Sequence, residues 1–160
     1  MRGYDGGKKV NGRKRHILVD SMGHLLAVCV HSAGIHDREG PSLLLTPAFL
    51  KQSPLLKKIY TDKGYRGKGI QYIESRGLEG EVVRHHRDKE SYVLKKGELP
   101  PALKGFHVLP KRWIVERTFA WFSLCRRLSK DYELHMETTE AWLWLRSAVL
   151  TARRLSYQAN

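Results

Sequence analysis

"RHILVDSMGHLLAVCVH", residues 15–31, decides the fold. Its two runs of aliphatic and β-branched side chains, 15–20 and 25–31, flank "SMG", and that arrangement predicts a β-hairpin. Asp20 falls where the turn is expected, and Asp favours turns, so a turn role is preferred there over metal ligation. Downstream, "LLKKIYTD" (55–62) reads as a third strand running into "KGYRGKG", a loop with three glycines. "IQYIESRG" reads as a short helix stopped by Gly77. "EGEVVRHHR" (79–87) contains a fourth, short strand. "SLLLTPAFLK" reads as one helix interrupted by Pro47 or as two short turns. Residues 88–110, charged and containing "LPP", read as an insertion or loop. Helical patterning returns over 112–128, and a last helix is expected over about 139–157, with Glu140 in its first turn and Arg153 and Arg154 near its end, as the helix dipole favours. The order is an α/β pattern in which an antiparallel hairpin feeds a partly parallel sheet. Residues 1–13, rich in Gly and Lys, are expected to be a flexible basic lead-in to a single domain over 1–160.

The chain has 160 residues, 41% of them hydrophobic, which suits one folded domain. Lys and Arg number 29 against 16 acidic residues, a formal charge of +13. That balance points to a polyanion, most simply nucleic acid, because released counterions drive binding to phosphates. Cys29 and Cys125 lie in apolar contexts outside any C-x-x-C pair and read as reduced, buried thiols. No run reaches the roughly 18 apolar residues of a membrane span. A secretory signal does not fit the N-terminus either, so a cytoplasmic location is expected.

Winding residues 112–128 at about 100° per residue puts Ile114, Val115, Thr118, Trp121, Phe122, Cys125 and Leu128 on one side, facing the core. Arg112, Glu116, Ser123 and Arg127 fall on the other. From the helix alone, Glu116 reads most simply as a surface residue paired with Arg112; the alternative is a cation ligand beside phosphates held by Arg112 and Arg127. Asp62 is either a polar turn residue or part of a site, since α/β sheets build sites at the carboxyl ends of their strands. The glycines after it permit close backbone approach, and Lys63, Arg66 and Lys68 add positive charge. His31, His36 and Asp37 match no standard zinc spacing. His85 and His86, beside Arg84 and Arg87, read as phosphate contacts or a solvated face. Trp113, Trp121, Trp142 and Trp144 read as core packing.

Taken together, "GYDGGKKVNGRKRHILVDSMGHLL", "YTDKGYRGKG" and "RWIVERTFAWFSLCRRLSKDYE" closely resemble the catalytic domain of bacterial insertion-sequence transposases of the DDE type, in the group related to insertion sequences four and five. The resemblance implies a ribonuclease H-like mixed sheet with flanking helices, here lacking its first strand. It implies two Mg2+ (or Mn2+) ions held by Asp, Asp and Glu, with the second Asp falling on Asp62 and the Glu on Glu116. The family's Arg before that Glu falls on Arg112, whereas Ser123 stands where relatives often carry Lys or Arg, a role that Arg126 or Arg127 would then take. The family's first catalytic Asp precedes "GYDGGKK" and has no counterpart here; Asp5 and Asp20 occupy other family positions.

The expectation is therefore the C-terminal part of a DNA transposase with two of three catalytic carboxylates, inactive alone. The rivals are a non-catalytic DNA-binding remnant and a basic RNA-binding protein. The partners expected are element-end and target DNA, an upstream transposase segment and a second copy of the chain. Expected phosphate contacts are Lys8, Lys9, Arg13, Lys14, Arg66, Lys68, Arg112 and Arg127. The Asp62 and Glu116 carboxylates are expected on the order of 4–8 Å apart.

Overall fold

In a computed structural model, which describes residues 2–83 and 111–158, the hairpin is longer than its apolar core suggests. Strand β2 (Val10–Val19) pairs antiparallel with β3 (Leu25–Ser32), from Arg13 opposite Ser32 to Val19 opposite Leu25, with an irregularity at Leu18/Val19. Asp20 closes the turn as expected. Its Oδ1 accepts from the Met22 and His24 amides at 2.8 and 2.9 Å, and its Oδ2 lies 2.9 Å from His24 Nδ1. The expected basic lead-in is ordered instead: β1 (Gly3–Asp5) pairs with the start of β2, Gly3 opposite Gly12. Glycine and aspartate mask this strand in the sequence, because neither favours strands intrinsically.

After β3 come α1 (Gly40–Leu44) and α2 (Pro47–Gln52), two short helices, as one of the two readings of this stretch had it. Thr46 caps α2, its Oγ1 accepting from the Phe49 amide at 3.2 Å, and Pro47 fills the first helical position, where its missing N–H is harmless. Strand β4 (Lys58–Thr61), helix α3 (Lys68–Ser75) and β5 (Glu79–Val82) form a β-α-β unit, with β4 and β5 parallel and Gly77 turning the chain at φ +75°. The segment at 84–110, which holds the expected insertion and Arg84, His85, His86 and Arg87, lies outside the described residues. Helix α4 (Arg112–Ser123) stops earlier than the periodicity predicts: Cys125 is extended, and α5 (Arg126–Ser129) is a separate turn. Helix α6 (Met136–Gln158) begins three residues before its expected start.

The result is a mixed α/β chain with one correction to its expected sheet. Among the described residues the antiparallel strands and the parallel pair are two separate sheets. Strand β2 lies between two cores, because successive side chains of a strand point to opposite faces. Ile17 and Val19 pack with Leu25, Val30, Phe122, Leu128 and Leu143. Leu18 packs with Leu45, Ile59, Ile73 and Leu78. The expected core stripe of α4 holds, with Ile114, Thr118 and Phe122 buried. Trp113 and Trp144, in contrast, are 42% and 44% exposed rather than core residues. Cys29 and Cys125 are unpaired and half-buried.

The outer edge of β3 is closed by a side chain. Glu140 Oε1, on α6, accepts from the Val30 amide at 2.7 Å. An unsatisfied amide on a largely buried strand costs about 1–3 kcal/mol, more when the lost partner is charged. Glu140→Ala should therefore lower the unfolding free energy by roughly 1–3 kcal/mol in urea titrations, and Glu140→Gln, which keeps an acceptor oxygen, should recover most of it.

Candidate active site

Strand β4 delivers Asp62. The strand ends at Thr61, and Asp62 caps the 3₁₀ turn Lys63–Tyr65, its Oδ1 accepting from the Gly64 amide at 2.8 Å. One more carboxylate stands close by. A β-carbon on Gly64 would lie 3.1 Å from Asp62 Oδ1 and 3.2 Å from Asp37 Oδ2, so glycine is what lets the two acids crowd the same turn. Asp37 is held by Lys14, whose Nζ lies 2.9 Å from its Oδ1 and 3.5 Å from Asp5 Oδ2. In the sequence Asp37 stands near His31 and His36 at no standard zinc spacing, and nothing local signals that it lands beside Asp62.

The turn after Asp62 is anchored across to β2. The Tyr65 hydroxyl lies 2.5 Å from His16 Nδ1, and the His16 ring stacks on His31 with centroids 4.7 Å apart. Burial, with Asp62 and Asp37 nearby, pushes the Tyr65 phenol above its usual range, so the hydroxyl keeps its proton and donates. Burial and the neighbouring His31 push the His16 imidazole down to about 4, so it is neutral and accepts. Gly40 makes room for the pair: a β-carbon there would lie 2.8 Å from His16 Nδ1 and 2.9 Å from Tyr65 Cε1.

Glu116 comes from α4 and is exposed, on the face opposite the buried Ile114, Thr118 and Phe122. It and Asp62 line one cavity of about 730 Å³. Six consecutive residues of β2, Arg13–Leu18, also line it, although their side chains alternate between faces, so the cavity runs along the edge of that strand. Ile59, Tyr60 and Thr61 of β4 form the facing side, Leu44, Leu45 and Ile73 one wall, and Val115 and Phe119 the other. Among the described residues, Arg13–Val19 pair only with β3, and β4 pairs only with β5. Each sheet thus turns to the cavity an edge with no strand partner among the described residues. Asp62 and Glu116 supply hard oxygen donors of the kind a small divalent cation takes. No group of three or more His, Cys, Asp or Glu side chains suited to a metal ion occurs among the described residues.

The expected phosphate contacts separate into two sets. Arg13 donates to the Glu133 and Leu134 carbonyls at 3.0 and 2.6 Å and lies 3.3 Å from Asp131, and Lys14 is engaged as above; both brace the fold. Lys8, Lys9 and Lys68 are exposed, and Lys8 reaches the cavity. Arg66 is half-buried in the glycine loop. Arg127 is half-exposed, 2.8 Å from Glu133 Oε1 and over the Trp142 ring. The Arg112 side chain lies outside the described residues. Lys111 and Lys130, which the motifs did not single out, also line the cavity, and Lys111 Nζ donates to the Tyr60 hydroxyl at 3.0 Å.

A family model described as a Transposase DDE domain matches residues 1–151. A Burkholderia cepacia protein assigned as the transposase of insertion sequence element IS402 is 28% identical over 141 residues. The match takes in 84% of this chain and 60% of that relative's length. No solved structure matches. The chain belongs to the Transposase DDE domain family.

His16 makes the anchor of this site sensitive to acid. Its folded pKa of about 4 lies below its ordinary 6.5. Above about pH 6.5 both folded and unfolded states are neutral there. As pH falls from 6.5 towards 4 the unfolded state takes up a proton first, and stability drops by up to roughly 3 kcal/mol before levelling off. Denaturation midpoints measured from pH 7.5 to 4.5 should show that fall, and His16→Gln should flatten it.

Proposed function

We propose that this member of the Transposase DDE family is a catalytic portion of a bacterial insertion-sequence transposase of the group related to insertion sequences four and five, acting in the cytoplasm on element ends and target DNA. The observation that carries the reading is that Asp62 and Glu116, 54 positions apart on different elements, line one cavity beside several cations. The reaction is phosphoryl transfer: cleavage of a DNA strand, then joining of its 3′ end to a target.

Asp62 and Glu116 would hold Mg2+ or Mn2+. A bound cation would activate the attacking oxygen and stabilise the leaving one. Asp62, with one oxygen fixed by the Gly64 amide, presents its carboxylate in a set direction. Lys8, Lys9, Arg66, Lys68, Arg112 and Arg127 contact phosphates and orient the strand, while Arg13 and Lys14 keep the surrounding framework in place.

Two carboxylates are too few to fix two ions, and the third nearby, Asp37, is engaged by Lys14. The missing donor would come from an upstream transposase segment, whose strand would lie in the cavity between β2 and β4 and merge the two sheets into one ribonuclease H-like sheet. Two features support this: two strand edges that have no partner among the described residues face one space, and apolar side chains line that space on both sides.

Nicking of element-end DNA with Mg2+ or Mn2+ tests the reading, comparing this chain with an N-terminally extended one. The expected outcome is activity only in the extended chain, lost by at least about a hundredfold in both Asp62→Ala and Glu116→Ala. Robust nicking by the short chain, abolished by Asp62→Ala, would show that a third ligand already lies within it. No nicking by either chain, with DNA binding retained, would favour the non-catalytic remnant. Binding itself should be sequence-tolerant. If about six phosphate contacts act together, affinity should fall roughly a thousandfold between 50 and 200 mM salt.

A further inference from the structure

Two arginines lie against the tryptophans of α4. Arg117 packs over the rings of Trp113 and Trp121, 4.3 and 4.5 Å from their centroids, and Arg154 of α6 packs over Trp121 at 4.3 Å. Trp113, Arg117 and Trp121 step by four, so they share one face of the helix. Cation and ring thus alternate in a ladder, with Trp113 at its exposed end. The β2–β3 turn meets the ladder at one point: Arg117 Nη2 and Arg154 Nη1 donate to the same Met22 carbonyl at 2.9 and 3.0 Å.

Two positive charges therefore share a single neutral oxygen. Arg13 and Lys14, which brace the fold elsewhere, each come with an acid, Asp131 for the first and Asp5 and Asp37 for the second. Among the described residues Arg117 and Arg154 form no ion pair. Asp20 reaches Arg154 only through His24, whose Nδ1 lies 2.9 Å from Asp20 Oδ2 and whose Nε2 lies 3.2 Å from Arg154 Nη1. Burial and the neighbouring Arg154 push the Arg117 guanidinium below its usual range, though both arginines stay charged. Arg117 Nη1 and Arg154 Nη2 take part in no hydrogen bond among the described residues, and neither atom is buried. The turn uses only part of what these side chains offer.

A guanidinium held flat against a ring presents its edge N–H groups in set directions, which suits an anion with several oxygens. One such anion between the two forks would also relieve their mutual repulsion. We propose that Arg117 and Arg154 together hold one phosphate of the DNA backbone at the β2–β3 turn, apart from the reacting phosphate. The inference rests on DNA as the partner of this chain but not on its cleavage. Met22, Arg117 and Arg154 do not line the cavity that holds Asp62 and Glu116. His16, which anchors the Asp62 turn, stands four residues before Asp20 on the same strand, about 13 Å at the rise of a β-strand. The phosphate bound here lies on the flank of the DNA, where it fixes the direction in which the duplex leaves the cavity.

Binding of a labelled duplex, followed by anisotropy from 50 to 200 mM salt, tests the site. Arg117→Gln and Arg154→Gln should each weaken binding about three- to thirtyfold, and the double variant should lower the slope of log affinity on log salt by about one, the value for a single phosphate. Arg154→Lys, which keeps the charge and loses the fork, should keep the slope and recover only part of the affinity. A role confined to bracing the turn would change stability and leave the slope alone. Because the arginines also brace the turn, the unaltered chain supplies a second readout: duplex DNA should shield Arg117 and Arg154 from phenylglyoxal, mapped by mass spectrometry. The Asp62→Ala, Glu116→Ala double variant should show the same shielding, so a failure of the cleavage reading leaves this result standing. A folded double arginine variant with unchanged affinity and slope overturns the proposal, as does absence of shielding. So does equal shielding by polyglutamate or by inorganic pyrophosphate at matched charge, which would make the site one for acidic peptides or free anions. A chain that binds no duplex at all overturns this proposal and the DNA reading together.

Discussion

Strand β2 has to bury both of its faces. Ile17 and Val19 enter one core and Leu18 the other, so a one-residue slip in its register would exchange the residues presented to both cores at once. The polar residues of the strand obey the same alternation. Arg13 and Arg15 reach the side of α5 and α6, where Arg15 donates to the Leu128 carbonyl at 2.8 Å at the end of α5. Lys14 and His16 reach the other side and hold Asp37 and Tyr65. A ten-residue strand thereby sets the position of both helical layers and, through His16, of the turn that carries Asp62.

That arrangement changes the meaning of the net charge. In the sequence, Arg13 and Lys14 look like members of a phosphate-binding cluster with Lys8 and Lys9. In the fold they are consumed by Asp131, Asp5, Asp37 and backbone carbonyls. Lys8 and Lys9, in the turn between β1 and β2, remain exposed. Adjacent residues of one basic run thus have different roles, because a strand sends its cations inwards while a turn leaves them in water. Salt dependence of binding reports only the second set.

The β-hairpin, the Asp20 turn, the β4–α3–β5 unit and the buried face of α4 were legible because each is written in local periodicity or turn chemistry. The misreadings share a physical cause. Strand β1 carries little apolar signal and is held by pairing with β2. The break between α4 and α5 is invisible to periodicity, since Leu128 keeps its helical phase while Cys125 turns extended. Asp37 beside Asp62 is a tertiary coincidence made possible by Gly64. Trp113 and Trp144 have helical spacing that suits a core, yet spacing cannot say which of two apolar faces the fold will use. Nor did the strand order reveal that two sheets, rather than one, would be found among the described residues.

The space between those sheets poses a problem that water alone solves poorly. Leu44, Leu45 and Ile73 on one wall and Val115 and Phe119 on the other offer it no hydrogen bonds, while the strand edges between them present amides and carbonyls that have no strand partner among the described residues. An apolar filler would satisfy the walls and leave the edges unpaired. Water would satisfy the edges and leave apolar surface wet. An extended backbone with apolar side chains above and below satisfies both, because its hydrogen bonds lie in the plane of the sheet and its side chains stand perpendicular to it. Asp62 at the end of β4 and Glu116 on α4 open onto this same space. In the proposed function an upstream strand lying in this space would pass beside both carboxylates, so one segment would complete the sheet and the candidate site together.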